Sequence, residues 1–339
     1  MATLWTELID PAELTGYVRE ALADIEARKS SLAHFLPNRT VNDIVVRFKA
    51  GQAGLVAEAQ FRAFDAEPEI GKGEGGKRYT LELPAIGQNQ IISEYDQLRV
   101  RNADNEDILT EALSTTRQVA QAVSDRIERL RGIVLSTGKA TIPEIGSADD
   151  FGRKASHTVT AANLWSTGST VSRLADLQAW SDVYEATNGV APGAIIMSRK
   201  AYRLLAAGDE FKTNLVGGGS RPASAAEINS LVEGAGLPPI EVYTRRTSAG
   251  LILGENELLL LPAPVDVDAW EDAPLGATFW GRTLTSSDPK FQLEGDAPGI
   301  VAGVYRGEKP PMLAEVVSDA IAMPVLANAN LSLKATVAA

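Results

Sequence analysis

The chain has 339 residues, room for two domains or one large one, and its 45% apolar and 22% charged residues mark a globular chain rather than a disordered one. Lys plus Arg number 32 against 44 Asp plus Glu, and the net charge of −12 speaks against a protein that grips DNA by its phosphates, although a local basic face stays open. With no cysteine, disulfides, zinc–cysteine sites, iron–sulfur clusters and thiol nucleophiles are excluded, and any histidine chemistry must use His34 or His157.

The N-terminus carries early acids and lacks a basic start followed by an apolar run, so it does not read as a secretory signal. Residues 11–29 predict a helix. Asp10 can cap it, Pro11 suits its first position, and Leu14, Tyr17, Val18, Leu22 and Ile25 share a face. From 41 to 92 the period changes to two. Ile44, Val46 and Phe48 alternate with charged residues, as do residues 55–63 and then Tyr79, Leu81 and Leu83. A glycine-rich, charged turn lies at 67–77, so the segment reads as a long hairpin-like excursion.

Ile108, Ala112, Leu113, Thr116, Val119, Ala120, Val123, Ile127, Leu130 and Val134 then form one stripe of a long helix, about 104–136, with Asp104 or Asn105 at its start and Gly138 at its end. Residues 139–170 show no regular period. A helix over 171–187 ends at Asn188–Gly189 and is followed by a buried strand, 193–198. Helices at 198–208 and 223–236 flank a loop at 216–222, a strand covers 240–244, and 251–261 reads as a tight hairpin around Gly254. The tail, 299–337, alternates as strands do. The most apolar windows, 251–265 and 320–327, fall well short of the ~20 residues of a membrane helix, and the sequence predicts a soluble protein made in a cytoplasm.

Catalytic signatures fail on context. Residues 71–76, GKGEGG, match G-x-G-x-x-G by letter, but a strand-like segment follows where a dinucleotide site needs a helix. Gly132 to Ala140 misses the phosphate-loop spacing by one residue. It also sits at a helix C-terminus, where the dipole repels anions, so a helix cap is the better reading. His34 and His157 read as surface or capping residues. Asp149–Asp150 and Asp266/Asp268 read as solvated acids. The five tryptophans, at 5, 165, 180, 270 and 280, read as packing or interface anchors. No cofactor, metal or catalytic residue is expected.

An isolated hairpin is marginal in water. The apolar faces of 41–92 need a cover, and the long helix offers only one stripe, so the expected cover is a neighbouring copy. An arm reaching over the next copy makes a head-to-tail contact, and such contacts close into rings or shells.

Three stretches carry a resemblance. The long-helix end RLRGIVLSTGKATI (129–142) contains an L-x-x-G-K turn, Leu135 to Lys139. Residues 163–205 run from a tryptophan through a polar helix and a strand into an R-x-x-x-x-L helix, Arg199 to Leu204. Residues 290–337 place a proline shortly before a terminal β segment. In this order the chain resembles the major capsid proteins of tailed phages, and more closely the lambda-type phage capsid protein E family.

The resemblance implies an α+β fold of the Hong Kong 97-like kind. Its parts would be an N-terminal arm (1–40), an extended β loop (41–92), a peripheral domain with the long spine helix (93–189), an axial domain (190–300) and a β-rich tail (301–339). It implies an icosahedral shell of hexamers and pentamers around double-stranded DNA, built in the host bacterial cytoplasm without a membrane. The procapsid would use a scaffolding protein, a portal and a decoration protein, and would expand on packaging. The expected partner above all is the chain itself. Expected assembly contacts are Arg47, Phe48, Phe61, Arg62, Lys72, Lys77 and Arg78. With no coiled-coil extension before residue 11, a separate scaffold is expected. Lys72 and Lys77 lie where some relatives crosslink, but no Asn or acid partner is identifiable. A bacterial nanocompartment shell of the same fold, or a soluble α/β enzyme, are the other readings.

Overall fold

The first helix begins where Asp10 and Pro11 place it. In the computed structural model, which describes residues 2–6, 9–28, 30–50, 77–100, 105–214, 220–293 and 298–339, the Asp10 carboxylate accepts from the Ala12 amide at 2.9 Å and the helix runs Pro11–Glu26. Leu14, Val18, Ala21, Leu22 and Ile25 are its buried face.

The long helix spans Asn105–Thr137, 33 residues or about 50 Å. Ala112, Thr116, Val119, Ala120, Val123, Ile127, Leu130 and Val134 of the expected stripe are buried. Gly138 ends the helix in the left-handed region, φ 72°, its amide donating to the Val134 carbonyl at 2.8 Å. The Arg153 guanidinium donates to the last carbonyls, Leu135 at 2.9 Å and Ser136 at 2.5 Å. A Cβ on Gly138 would lie 2.8 Å from the Arg153 Cβ, so the glycine serves both the turn and this close approach.

Two sheets organise the rest. The larger is centred on Ala314–Leu326, whose partners are Val301–Gly307, Gly276–Gly281 and Ala85–Ile92, all antiparallel. Ala2–Leu4 extends it on Val301–Gly307, and Asn38–Thr40 joins in parallel to Gly276–Gly281. The first helix and the long helix bury Leu14, Val18, Val119, Val123 and Ile127 against Ala302, Val304, Val316 and Ala320 of this sheet.

The smaller sheet is mixed, in the order Ile240–Tyr243, Ala194–Ser198, Glu257–Leu261, Leu333–Thr336 and Thr158–Thr160. Around it lie the helices Arg173–Asn188, Arg199–Ala206 and Ala225–Gly234, capped by Ser172, Ser198 and Ser224. At the last, Glu227 completes a capping box and binds Arg221, which holds its carboxyl down at about 2.

Several expectations need correcting. Residues 251–261 do not form a hairpin. Gly250–Leu251 pairs with Arg246–Thr247, whereas Glu257–Leu261 lies between Ala194–Ser198 and Leu333–Thr336. Leu258, Leu259, Leu260 and Leu261 are all buried, and a strand apolar on both faces belongs inside a sheet rather than in a free ribbon. Within 139–170, Lys139–Ile142 and Ser147–Asp150 form a hairpin that the polar composition hid.

The base of the arm also differs. Val45–Ala50 pairs antiparallel with Lys77–Glu82, Val46 opposite Leu81 and Phe48 opposite Tyr79. Val46, Leu81 and Leu83 are buried in the core that also holds Leu130, Val134 and Phe151. Here the chain's own core covers Val46, Leu81 and Leu83, while Phe48 is half-buried and Ile44 stays 45% exposed, so a neighbour is not needed to cover most of this side. Ala85–Ile92 leaves the ribbon and joins the larger sheet. The expected strand at 55–63 and the glycine-rich turn lie outside the described residues.

Candidate assembly surface

A buried charged junction, which the sequence reading missed, joins the two sheets through the long helix. Glu128, Arg131 and Glu26 are 0%, 1% and 2% exposed. Arg131 Nη1 lies 2.6 Å from Glu26 Oε1 and 3.4 Å from Glu128 Oε2. Its Nε donates to Thr278 Oγ1 and its Nη2 to Asn38 Oδ1, both at 2.9 Å. Glu128 Oε1 accepts from the Leu32 amide and from the Tyr243 hydroxyl, each at 2.8 Å, and lies 3.5 Å from Arg245 Nη1. Burial, with the Glu128 charge beside it, pushes the Tyr243 hydroxyl far above its ordinary value, so it stays a donor. Every charge here has a partner, and the cluster fixes Tyr243 of the smaller sheet and Thr278 of the larger to one point on the helix. The available signal was Glu128 and Arg131 at i, i+3 beside an apolar stripe.

His157 is not a surface residue. It is fully buried, with both ring nitrogens unpartnered, and packs 6.2 Å from the Tyr184 ring. Burial first, then Arg153 and Lys154, bring it down to about 4, so the ring is neutral and acts as core. His34 is half-buried, its Nδ1 3.0 Å from the Val265 carbonyl. Asp150 pairs with Lys139 at 2.7 Å and Asp149 accepts from Ser147 at 2.9 Å, so these acids hold their hairpin. Among the described residues no His, Asp and Glu group could hold a metal ion, and no helix is long and apolar enough to cross a membrane. The tryptophans do pack: Trp165 stacks on Trp180 at 6.0 Å, and Trp280 is buried.

Of the expected contacts, Arg47 is exposed on the ribbon, and Phe48 is half-buried with its ring 6.3 Å from that of Phe151. Lys77 and Arg78 sit in the partner strand, opposite Ala50 and Lys49. Phe61, Arg62 and Lys72 lie outside the described residues. A surface the sequence reading did not single out lies at the end of the strand Ala85–Ile92 and on the helix Glu94–Val100. There Ile91, Tyr95 and Leu98 are 60%, 72% and 53% exposed. Tyr95 and Leu98 share one helix face at i, i+3, and with Ile91 three large apolar side chains are exposed within eight residues of chain.

Phage major capsid protein E is the family whose profile matches residues 29–267, more than half of the chain. No curated protein matches in sequence. Among solved structures, the putative capsid protein of a prophage of E. coli CFT073 is similar at a TM-score of 0.64 and 16% identity, with 100% of each chain covered. A phage-related protein of Bordetella bronchiseptica RB50 follows at 0.60 and 15%, covering 99% of this chain and 97% of the other. A virus-like particle from Pyrococcus furiosus is similar at 0.51 and 12%, covering 95% and 97%. These likenesses bear out the expected α+β capsid fold. A polypeptide with this profile, this spine helix and these two sheets belongs to the phage major capsid protein E family: it is a structural, self-associating shell protein of a virion.

Proposed function

We propose that the chain builds an icosahedral head of hexamers and pentamers around double-stranded DNA, in the cytoplasm of a bacterial host. The family match over residues 29–267 carries the reading. Assembly begins as a procapsid with a scaffolding protein around a portal, a decoration protein is a further partner, and the shell expands on packaging. The chain works as a structural unit and not as a catalyst. It divides into the arm 1–40, the loop 41–92, a peripheral domain 93–189, an axial domain 190–300 and the tail 301–339. Arg47, Phe48, Phe61, Arg62, Lys72, Lys77 and Arg78 make loop contacts, and Ile91, Tyr95 and Leu98 add an apolar one.

The net charge of −12 supports a wall that holds DNA without gripping it, since an acidic lining repels phosphates. The test is electron microscopy of the chain produced with its neighbouring gene products. Closed particles filled with DNA are expected. Particles filled with a protein cargo would make it a nanocompartment shell, and small soluble oligomers would end the capsid reading.

A further inference from the structure

On a chain this acidic, one cleft is basic. Arg199, Lys200, Arg203, Arg245 and Arg246, against the single acid Glu255, line a cleft of about 420 Å³. Arg245 is turned inward, 3.1 Å from Asp125, and Lys200 lies 3.9 Å from Glu255. Arg199, Arg203 and Arg246 are exposed and make no ion pair among the described residues.

Sheet topology puts the opposite charge at the other end. Ser198 and Tyr243 end two parallel strands, and Glu257 opens the antiparallel one, so the cleft lies at that end of the smaller sheet. Leu261 pairs with Ala194 at the far end, about 13 Å away at 3.3 Å per residue. The chain leaves Leu261 into a segment with Asp266, Asp268, Glu271 and Asp272, all exposed and without an ion pair among the described residues. Beside it runs a groove of about 550 Å³ lined by Glu241, Asp266 and Asp272. The segment is already ordered. The Val265 amide donates to the His34 carbonyl at 2.8 Å, the Asn38 amide to the Val267 carbonyl at 2.7 Å, and Arg39 lies 3.9 Å over the Trp270 ring. Little freedom is left to lose on docking.

We infer that the basic cleft of Arg199, Arg203 and Arg246 receives the 266–272 acidic segment of a second copy. The two poles lie at opposite ends of one sheet, so a subunit cannot close the contact on itself. A cleft facing a cleft sets like charges together, so the contact joins two different patches head to tail, the arrangement that closes rings. Charge complementarity then also fixes the register of neighbours. This rests on reading the chain as a ring-forming shell subunit.

The test uses the full chain and two charge reversals: Arg199→Glu with Arg203→Glu and Arg246→Glu in one, and Asp266→Lys with Asp268→Lys and Asp272→Lys in the other. All six positions are exposed, so both should melt as the wild type does. Arg→Gln and Asp→Asn sets replace them if either does not. Each reversal alone should lose rings and shells in sedimentation velocity and electron microscopy. Both together in one chain should restore them. A one-to-one mixture should form rings with an even number of alternating members, and no five-membered ones. A wild type that forms no rings would refute the shell reading itself. A wild type that assembles while folded single reversals assemble equally well, or while the mixture stays apart, would overturn this contact alone. Normal rings that lose a retained DNA fragment would assign the cleft to nucleic acid and overturn it too.

Discussion

The base of the β ribbon and the Ile91–Leu98 patch are both apolar segments next to the long helix, and they meet opposite fates. Val46, Leu81 and Leu83 are at most 7% exposed against their own core, while Ile91, Tyr95 and Leu98 are at least 53% exposed. Alternation in the ribbon identifies an apolar face correctly but does not say what covers it. The ribbon is covered because its register sets Val46 opposite Leu81, over Leu130 and Val134. Ile91 is bare because side chains alternate along the strand Ala85–Ile92: Ile86 and Ile92 point into the core beneath the helices, and Ile91 points to the opposite face of the sheet. The exposed side chains Ile91, Tyr95 and Leu98, rather than the covered base of the arm, are therefore where the proposed contact with another copy is to be tested.

Substitutions should separate covered from bare surface. The largest loss is expected at the charged junction beneath the covered side. Glu128→Ala removes one of the two carboxylates on Arg131 and on Arg245 and leaves the buried Leu32 amide and Tyr243 hydroxyl without their acceptor. It should cost about 3–5 kcal/mol of subunit stability, read by denaturant melts, whereas Glu26, Glu128 and Arg131 replaced together by apolar residues should cost less. Leu81→Ala should cost about 2–5 kcal/mol in the same melts, the usual penalty for a buried leucine. A loss near zero there would mean that the ribbon base is not covered by its own chain.

Acid should weaken the subunit through His157. Its folded value, about 4, lies below the unfolded value near 6.5. The unfolded chain therefore takes up the proton first, and stability falls as pH drops from about 6.5 to about 4, by no more than about 1.4 kcal/mol per pH unit for one proton. His157→Phe should flatten that part of the profile. The smallest effect on the subunit belongs to the bare side. Tyr95→Ser with Leu98→Ser should change subunit stability by less than about 0.5 kcal/mol, yet raise the concentration needed for assembly in light scattering. Assembly should also have a salt optimum. Very low salt leaves subunits of net charge −12 repelling one another, and about 1 M salt, with a screening length near 3 Å, weakens contacts between charged poles.

Much of this fold was legible where structure is local. The long helix, expected over 104–136, spans Asn105–Thr137, and its Gly138 cap was written in the sequence. The Pro11 start, the Ser198 cap and the Asn188–Gly189 stop were equally visible. What stayed hidden depends on partners far along the chain. Glu257–Leu261 is flanked by strands some sixty residues before and seventy after, so a local turn at Gly254 misled. Gly276–Gly281 carries the strand formers Thr278, Phe279 and Trp280 but opens and closes on glycines, so its strand-forming run is only three residues long. It is a strand because Ala314–Leu326 lies against it, and a Cβ on Gly276 would meet the Val325 carbonyl oxygen at 2.1 Å. Glu128 and His157 look like surface residues by type, and only the tertiary fold buries them.

Amide hydrogen exchange of residues 85–98, compared between assembled particles and dissociated subunits, tests most directly whether this bare surface is where copies meet. Exchange there should slow on assembly, while the ribbon base at 45–48 and 80–83, already covered, should change little. Equal exchange at 85–98 in both states, with slowing confined to the ribbon base, would contradict it.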